Sequence, residues 1–346
     1  MLVLGIESSC DESAIGIVKD GRDVLFAPIY SQINLHKKFG GIVPENASRA
    51  HLEKFHSLVS DSINFISQNS IKMDYISVTV KPGLVGSLLV GYNTALAIAH
   101  FLKIPLLPVH HLEAHFSAIS LSGLELSYPS LGLLVSGGNT SLFILHGPGN
   151  LEKIGDTLDD AAGEALDKAA SLLGFEYPGG PAIEKAALQF LDSTKISAMG
   201  MDFHTFLPDI LKETSTNDLR FSFSGIKTAL YYALKKKRLP SPAAAYLFQE
   251  KLVEHISRNV QRALKKTQLK TFIAAGGVLA NTVLRNSLSN LCKSMGVDFQ
   301  TPEKKYCTDN GPMVAAAGYM YAKNNIFPKQ NFVTSDNSFE FREFRS

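Results

Sequence analysis

The chain has 346 residues, 45% of them apolar and 19% charged, enough for sizeable packed cores and too long for one typical domain. A formal net charge of +2 provides no global field arguing for nucleic acid, a membrane surface or an acidic partner, so any basic surface must be local. Three scattered cysteines, Cys10, Cys292 and Cys307, fit a reducing compartment rather than a disulfide framework. No apolar run approaches the roughly 20 residues of a membrane span. "MLVLGIESS" lacks the basic flank and long apolar run of a signal peptide, so a cytoplasmic protein is expected.

In chain order, "LVLGIE" (2–7), "SAIGIVKDG" (13–21) and "RDVLFAPIY" (22–30) read as short strands, the Asp20-Gly21 turn making a β-meander. A helix is expected over about 46–69, then the strand "YISVTV" (75–80), a Gly-rich turn and an apolar helix around 87–103. "IPLLPVH" ends a buried strand, and the residues from His110 onward open a helix. "SLGLLVSGGNTSLFILHGPG" (130–149) repeats the opening pattern of strand, polar turn and strand. Helices are expected near 160–174, 181–191, 225–238 and 242–267, then the strand "TFIAAGG" and the helix "NTVLRNSLSNLCKSM". Two units that each open on strand–turn–strand and close with helices predict an internally duplicated α/β fold.

Four turns share one logic: "IESSCDES" (6–13), "VSGGNT" (135–140), "YPGGPAIE" (177–184) and "AAGGVLAN" (274–281). Each puts glycine and small polar residues where a strand hands over to a turn or helix, which lets backbone approach a phosphate closely. Together they point to a nucleotide cleft between two lobes, while neither a Walker loop nor a GxGxxG in Rossmann context is present. In "DTLDDAAGEALDKAASLLG" (156–174), the spacing predicts Asp160, Glu164 and Asp167 on one helical face. The helix dipole accounts for acids in a first turn. Asp167, two turns in, is expected to accept ribose hydroxyls.

His111 and His115 are i, i+4 on the predicted helix and can share a metal. His110 lies 100° round the helix, and Glu113 is not in the zincin position for a base. Asp309, in "YCTDNGPMVAAAG" (306–318), is the candidate third ligand. A two-histidine, one-carboxylate set suits Fe(II), with Zn(II) as the alternative.

These stretches resemble the tRNA N6-adenosine threonylcarbamoyltransferases, formerly described as O-sialoglycoprotein endopeptidases. The resemblance runs through "GIESSCDESA", "GGIVPENASRAH", "PGLVGSLLVG", "HHLEAH", "LLVSGGNT", "GEALDKAA", "YPGGP", "FSFSGIKTA", "GGVLAN" and "CTDNG", in order and over nearly the whole chain. It implies the ASKHA (actin/Hsc70/sugar-kinase-like) α/β fold of two RNase H-like lobes. The first would take residues 1–125 with about 300–327, the second about 126–299 with a helical insertion, leaving 328–346 as a tail. The resemblance implies that His111, His115 and Asp309 are iron ligands. It makes Leu134, Val135, Ser136, Gly137, Gly138 and Asn139 the substrate loop, with Asp167, Gly180 and Asn281 as further contacts and Glu184 one turn beyond Gly180. Ser9 and Asp11 match the phosphate-side turn.

The reaction so implied moves the threonylcarbamoyl group of threonylcarbamoyl-AMP to N6 of the adenosine 3′ of the anticodon (position 37), in tRNAs reading ANN codons, releasing AMP. The partners implied are tRNA, an upstream threonylcarbamoyl-AMP synthase, and either a paralogous ASKHA subunit with a small ATPase (bacterial) or a second copy (organellar). Two departures stand out: many bacterial members carry His at the position of Asn139 and Gly at that of Lys81. They leave open a mitochondrial member trimmed of its presequence. "LKKKR" (234–238) and Lys265, Lys266 and Lys270 are the local basic runs that could meet tRNA phosphates. A metallopeptidase, a sugar or acetate kinase, and a non-catalytic scaffold are the rival readings.

Overall fold

The computed structural model describes residues 1–39, 41–192, 218–235 and 240–327. The expected tail 328–346 lies outside them. The chain folds as two units, Met1–Pro129 with Leu145–Glu152 and Gln300–Ser346, and Ser130–Ile144 with Lys153–Phe299.

The first unit opens on the meander β1 (Leu2–Glu7), β2 (Glu12–Lys19) and β3 (Asp23–Phe26), with β4 (Ile29–Ser31) beside β2. Asp20 and Gly21, with φ of 53° and 69°, make the left-handed turn that reverses β2 into β3. The short α1 (Ile33–His36) and the long α2 (Pro44–Gln68) lead to β5 (Tyr75–Lys81), α3 (Val85–Leu102), β6 (Leu106–His110) and α4 (His111–Ser117). The sheet order is β3-β2-β1-β5-β6, with β2 antiparallel to β1, and β5 and β6 added parallel. Period-2 alternation splits the core: Leu4, Ile6, Ile15, Ile17, Ile76 and Val78 join one cluster with α2 and α3 residues, whereas Val3, Val18 and Val109 join another. By length and hydropathy α3 would pass for a membrane span, contrary to the sequence reading. Its Leu88, Gly91, Ala95, Ile98 and Ala99 are buried at helical spacing, so one face of the helix packs on the core.

The second sheet is built from β7 (Ser130–Val135), β8 (Thr140–Gly147) and β9 (Asn150–Asp156). Then come α5 (Ala162–Leu172), α6 (Gly179–Asp192), α7 (Ser224–Lys235), α8 (Ser241–Thr267), β10 (Thr271–Ala275), α9 (Thr282–Met295) and β11 (Asp298–Gln300). Its order is β11-β10-β7-β8-β9, with β10 parallel to β7. Each sheet therefore carries a strand–turn–strand opening at its centre with a parallel strand added beside it, which is the expected duplication. The hairpin end at 145–152, expected in the second lobe, groups with the first unit, where Gly149 N donates to the buried Glu113 Oε1 at 2.6 Å.

The last helix, α10 (Gly311–Lys323), seats its first turn on the paired glycines Gly5 and Gly16 of β1 and β2. A Cβ on Gly5 would fall 2.3 Å from Ala315 N, and one on Gly16 2.2 Å from Pro312 N. Only glycine permits this approach, and it fixes where the residues just before α10 must lie.

Candidate functional site

β6 runs straight into α4. His110 closes the strand, and its Nδ1 accepts from Leu112 N at 3.3 Å, so it caps the helix rather than joining the cluster. His111 and His115 then project from successive turns, ring centroids 4.7 Å apart and planes at 76°. Asp309 arrives from the turn before α10, whose first amides are capped by Asn310 Oδ1 accepting from Met313 N at 2.8 Å. Its Oδ1 stands 3.1 Å from His115 Nε2 and 3.6 Å from His111 Nε2. One ligand atom from each of the three lies within 4.8 Å of the others. Donors bound at about 2.1 Å to one ion sit roughly 3.0–3.5 Å apart, so the set fits a first-row divalent metal.

The polar groups at this cluster support the same fit. His115 is 1% exposed, yet among the described residues its Nδ1 finds no hydrogen-bond partner, and its Nε2 faces the Asp309 carboxylate at 3.1 Å. A cation between Nε2 and that carboxylate would bind both groups at once. Burial alone would push the Asp309 carboxyl up, but His111 and His115 pull it down to about 2. Burial likewise opposes a charge on His111, but Glu7 and Asp309 overcome it and hold the imidazole up at about 9. Glu7, which sequence reasoning did not single out, is fully buried at the end of β1, with Oε2 3.2 Å from His111 Nδ1. An acid closing an apolar strand was the available signal.

Ser9, expected on the phosphate side, is buried, and its Oγ lies 3.2 Å from His111 Nδ1. The carbonyl of Asp11 accepts from Gln32 N at 2.9 Å. Burial and the neighbouring Asp11 carboxylate drive the Cys10 thiol well above its usual range, so it offers no thiolate nucleophile. Glu113 points away from the histidine pair toward Gly149 N and Tyr321 Oη, and burial raises it to about 7. A base for a metallopeptidase is therefore not supplied there.

In the second unit the Gly-rich turns converge on the end of β7. Ser136 and Asn139 close a tight turn, Ser136 N donating to Asn139 O at 2.8 Å and Asn139 N to Ser136 Oγ at 3.1 Å. Leu134 and Val135 are buried strand residues, whereas Cβ positions at Gly137 and Gly138 meet nothing within 4 Å. α5 begins against this loop, with Ala162 N donating to Thr140 Oγ1 at 2.8 Å and Gly163 N to Ser136 O at 3.1 Å. The first amides of α5 are thus spent on the protein. Gly276, at φ 102°, brings the β10 turn against Val135, its Cβ position 2.3 Å from Val135 O.

Asp160 departs from the expected helical face. α5 starts only at Ala162, and Asp160 lies before it, held by Lys168 at 2.6 Å and Lys227 at 2.7 Å. Those two lysines, with Glu164 also on Lys168 at 2.8 Å, balance the negative charge at this helix end. Asp167 does lie on α5, its Oδ1 accepting from Gly179 N at 2.6 Å at the start of α6, where Gly180 follows. Glu184 Oε1 accepts from Thr282 N at 2.7 Å. Asn281 caps α9 through Leu284 N at 3.0 Å and donates to Gln249 Oε1 at 2.8 Å. Asp167, Gly180, Glu184 and Asn281 are therefore tied to the same loop-bearing unit as residues 134–139.

Two sheets built on the same strand–turn–strand plan, each closed by helices, define an ASKHA-type α/β protein. The fold is shared with full-length HypF in its phosphate- and nucleotide-bound form, with a TM-score of 0.55 and 13% identity over 93% of this chain and 46% of that one. It is shared too with a ROK family glucokinase from Streptomyces griseus in complex with glucose and AMPPNP, with a TM-score of 0.50 and 10% identity over 93% of this chain and 100% of that one. The family model TsaD, tRNA N6-adenosine threonylcarbamoyltransferase, matches residues 23–316. A protein described by that name from Leptospira interrogans is 46% identical over 321 residues, 92% of this chain and 93% of its own. One from Syntrophomonas wolfei is 42% identical over 332 residues, 94% of each. The chain belongs to the tRNA N6-adenosine threonylcarbamoyltransferase family of transferases.

Proposed function

We propose that this chain transfers the threonylcarbamoyl group of threonylcarbamoyl-AMP to N6 of the adenosine at position 37, 3′ of the anticodon, in tRNAs reading ANN codons, and releases AMP. The observation that carries the reading is the convergence of His111, His115 and Asp309 at metal-ligand spacing in a chain of this family. In the transfer, the N6 lone pair attacks the carbamoyl carbon, the bond from that carbon to the phosphate oxygen breaks, and AMP departs with the electron pair. N6 loses one proton to water. AMP is a good leaving group, and the protonated Cys10 thiol agrees with direct transfer rather than a thioester.

His111, His115 and Asp309 would hold Fe(II), with Zn(II) as the alternative, and the ion would polarise the threonylcarbamoyl end as a Lewis acid. The open turn at Gly137 and Gly138 would lie along the adenylate, with Leu134, Val135, Ser136 and Asn139 setting its shape. Asp167, Gly180, Glu184 and Asn281 would complete that wall, their side chains or neighbours already fixed by protein hydrogen bonds. Ser9 and Asp11 would belong to the phosphate-side turn.

A synthase must supply the donor, and tRNA is the acceptor. Lys265, Lys266 and Lys270 are described residues that would meet RNA phosphates, making binding weaken with salt. Of the run 234–238, residues 236–238 lie outside the described part. A paralogous ASKHA subunit with a small ATPase, or a second copy of the chain, would complete the assembly, in the cytoplasm. The test is incubation of the purified chain with threonylcarbamoyl-AMP and tRNA, followed by mass spectrometry of the nucleosides. Threonylcarbamoyladenosine with release of AMP is expected. Unmodified adenosine, with the partner proteins also supplied, would refute the proposal.

A further inference from the structure

Glu7 is the last residue of β1 and has no exposed surface. A carboxylate so deep costs several kcal/mol unless hydrogen bonds replace its water. Three donors do so here. Ser9 N donates to Oε1 at 2.6 Å, Thr79 Oγ1 donates to Oε2 at 2.6 Å, and His111 Nδ1 lies 3.2 Å from Oε2. These bonds join β1, the turn that follows it, β5 and α4 on one side chain. A backbone N–H cannot accept, so Oε1 is committed as an acceptor, and the two bonds at 2.6 Å lock the carboxylate plane.

The consequence falls on His111. An ionised carboxylate has only acceptor oxygens, so an imidazole nitrogen bonded to it must carry the proton. That keeps the N–H on Nδ1 and leaves Nε2, the nitrogen 3.6 Å from Asp309 Oδ1, as the one that gives up its proton to a metal. Ser9 Oγ, 3.2 Å from the same Nδ1, steadies the ring from the turn. His115 has no equivalent partner among the described residues, where its Nδ1 makes no hydrogen bond. The Nδ1 of one imidazole of the pair is thus held by a hydrogen-bonded carboxylate, and that of the other is not. The buried Glu7 and the half-buried Asp309 also supply the two negative charges that a divalent ion would neutralise.

We propose that Glu7 is a positioning residue for His111: its carboxylate, pinned by Ser9 and Thr79, accepts the Nδ1–H bond and so presents Nε2 to a divalent metal shared with His115 and Asp309. This inference rests on the metal reading above. Carboxylates in this relation to a ligating histidine set ring orientation and raise its basicity, and their loss usually costs about 10- to 100-fold in metal affinity. Glutamine is not a silent replacement. It has one acceptor oxygen where Ser9 N, Thr79 Oγ1 and His111 Nδ1 together engage both.

The test is a Co(II) titration of the full chain read by visible absorption, comparing wild type with Glu7→Gln and Thr79→Val, each first checked for folding by circular dichroism melting. Glu7→Gln should bind Co(II) roughly 10- to 100-fold more weakly, with a displaced d–d band. Thr79→Val, which keeps the carboxylate but loosens it, should weaken binding by only a few fold. A merely structural Glu7 would lower the melting temperature and leave the cobalt spectrum and affinity of the folded variant unchanged, which would overturn the inference. Should Glu7→Gln not fold, nitrogen NMR of the zinc-loaded wild type decides: a proton on His111 Nδ1 with zinc at Nε2 supports the role, and the reverse tautomer refutes it. A wild type that binds neither cobalt nor zinc would overturn the metal reading itself, and this inference with it.

Discussion

The loop at 135–139 can be probed with two alanines that the structure predicts to behave oppositely. A Cβ on Gly163 would stand 2.6 Å from Ser136 O, 2.7 Å from Gly137 Cα and 2.9 Å from Gly137 N, all backbone atoms that no rotamer change can move. Ordinary contact begins at 3.4 Å, so the methyl overlaps the loop by half an ångström or more on each side. Overpacking of this kind costs about 1–3 kcal/mol, while alanine gains about 1 kcal/mol over glycine within a helix. With three backbone atoms overlapped the cost falls at the upper end, so Gly163→Ala should destabilise by about 2 kcal/mol net and lower the melting temperature by about 4–8 °C. At Gly137 the space is open and no positive φ intervenes, so Gly137→Ala should stay within about 0.5 kcal/mol of wild type. Its methyl nevertheless enters the space assigned to the adenylate. Calorimetry with AMP should show roughly tenfold weaker binding for Gly137→Ala at unchanged stability. A Gly137→Ala protein that binds AMP like wild type, or a Gly163→Ala protein with wild-type melting, would refute the reasoning.

Two further expectations concern the elements around that loop. Ser222 N donates to His255 Nε2 at 3.2 Å, which requires a neutral ring, and burial with Arg258 and Arg262 nearby holds His255 down at about 4. Because the folded value lies below the unfolded one near 6.5, this contribution is complete above pH 6.5 and is lost as the pH falls toward 4, by about 3 kcal/mol. Urea unfolding from pH 7 to pH 4 should show that slope, and His255→Gln should flatten it. Asp159 accepts from Ser222 Oγ, Ser224 Oγ, Phe223 N and Ser224 N at 2.6, 2.6, 2.7 and 3.3 Å. Asp159→Ala should cost about 1–3 kcal/mol and speed hydrogen exchange at the Phe223 and Ser224 amides, whereas unchanged exchange would show that the anchor is not needed.

The strand–turn–strand openings were readable because alternating apolar residues and the Asp20-Gly21 turn are local signals. The His111–His115 pair was readable from helical period alone. Asp309 was found as a candidate by residue type. What brings it near the pair is the Gly5–Gly16 platform under α10, a long-range packing fact invisible in "CTDNG". Asp160 was misplaced because the helix begins two residues later, and Lys227, distant in sequence, neutralises it. Glu7 escaped because its partners Thr79 and His111 lie 72 and 104 residues away.

The most direct test of the account is quantitative nucleoside mass spectrometry of tRNA modified by the wild-type chain and by Asp309→Ala under identical conditions. Asp309 stands 3.1 Å from His115 Nε2 and is the one acid among the three clustered candidate ligands. The account predicts threonylcarbamoyladenosine at position 37 with wild type, and at least about a hundredfold less with the folded variant. Each lost factor of ten corresponds to about 1.4 kcal/mol of transition-state stabilisation. Equal modification by the two proteins would contradict the claim that this cluster carries the transfer.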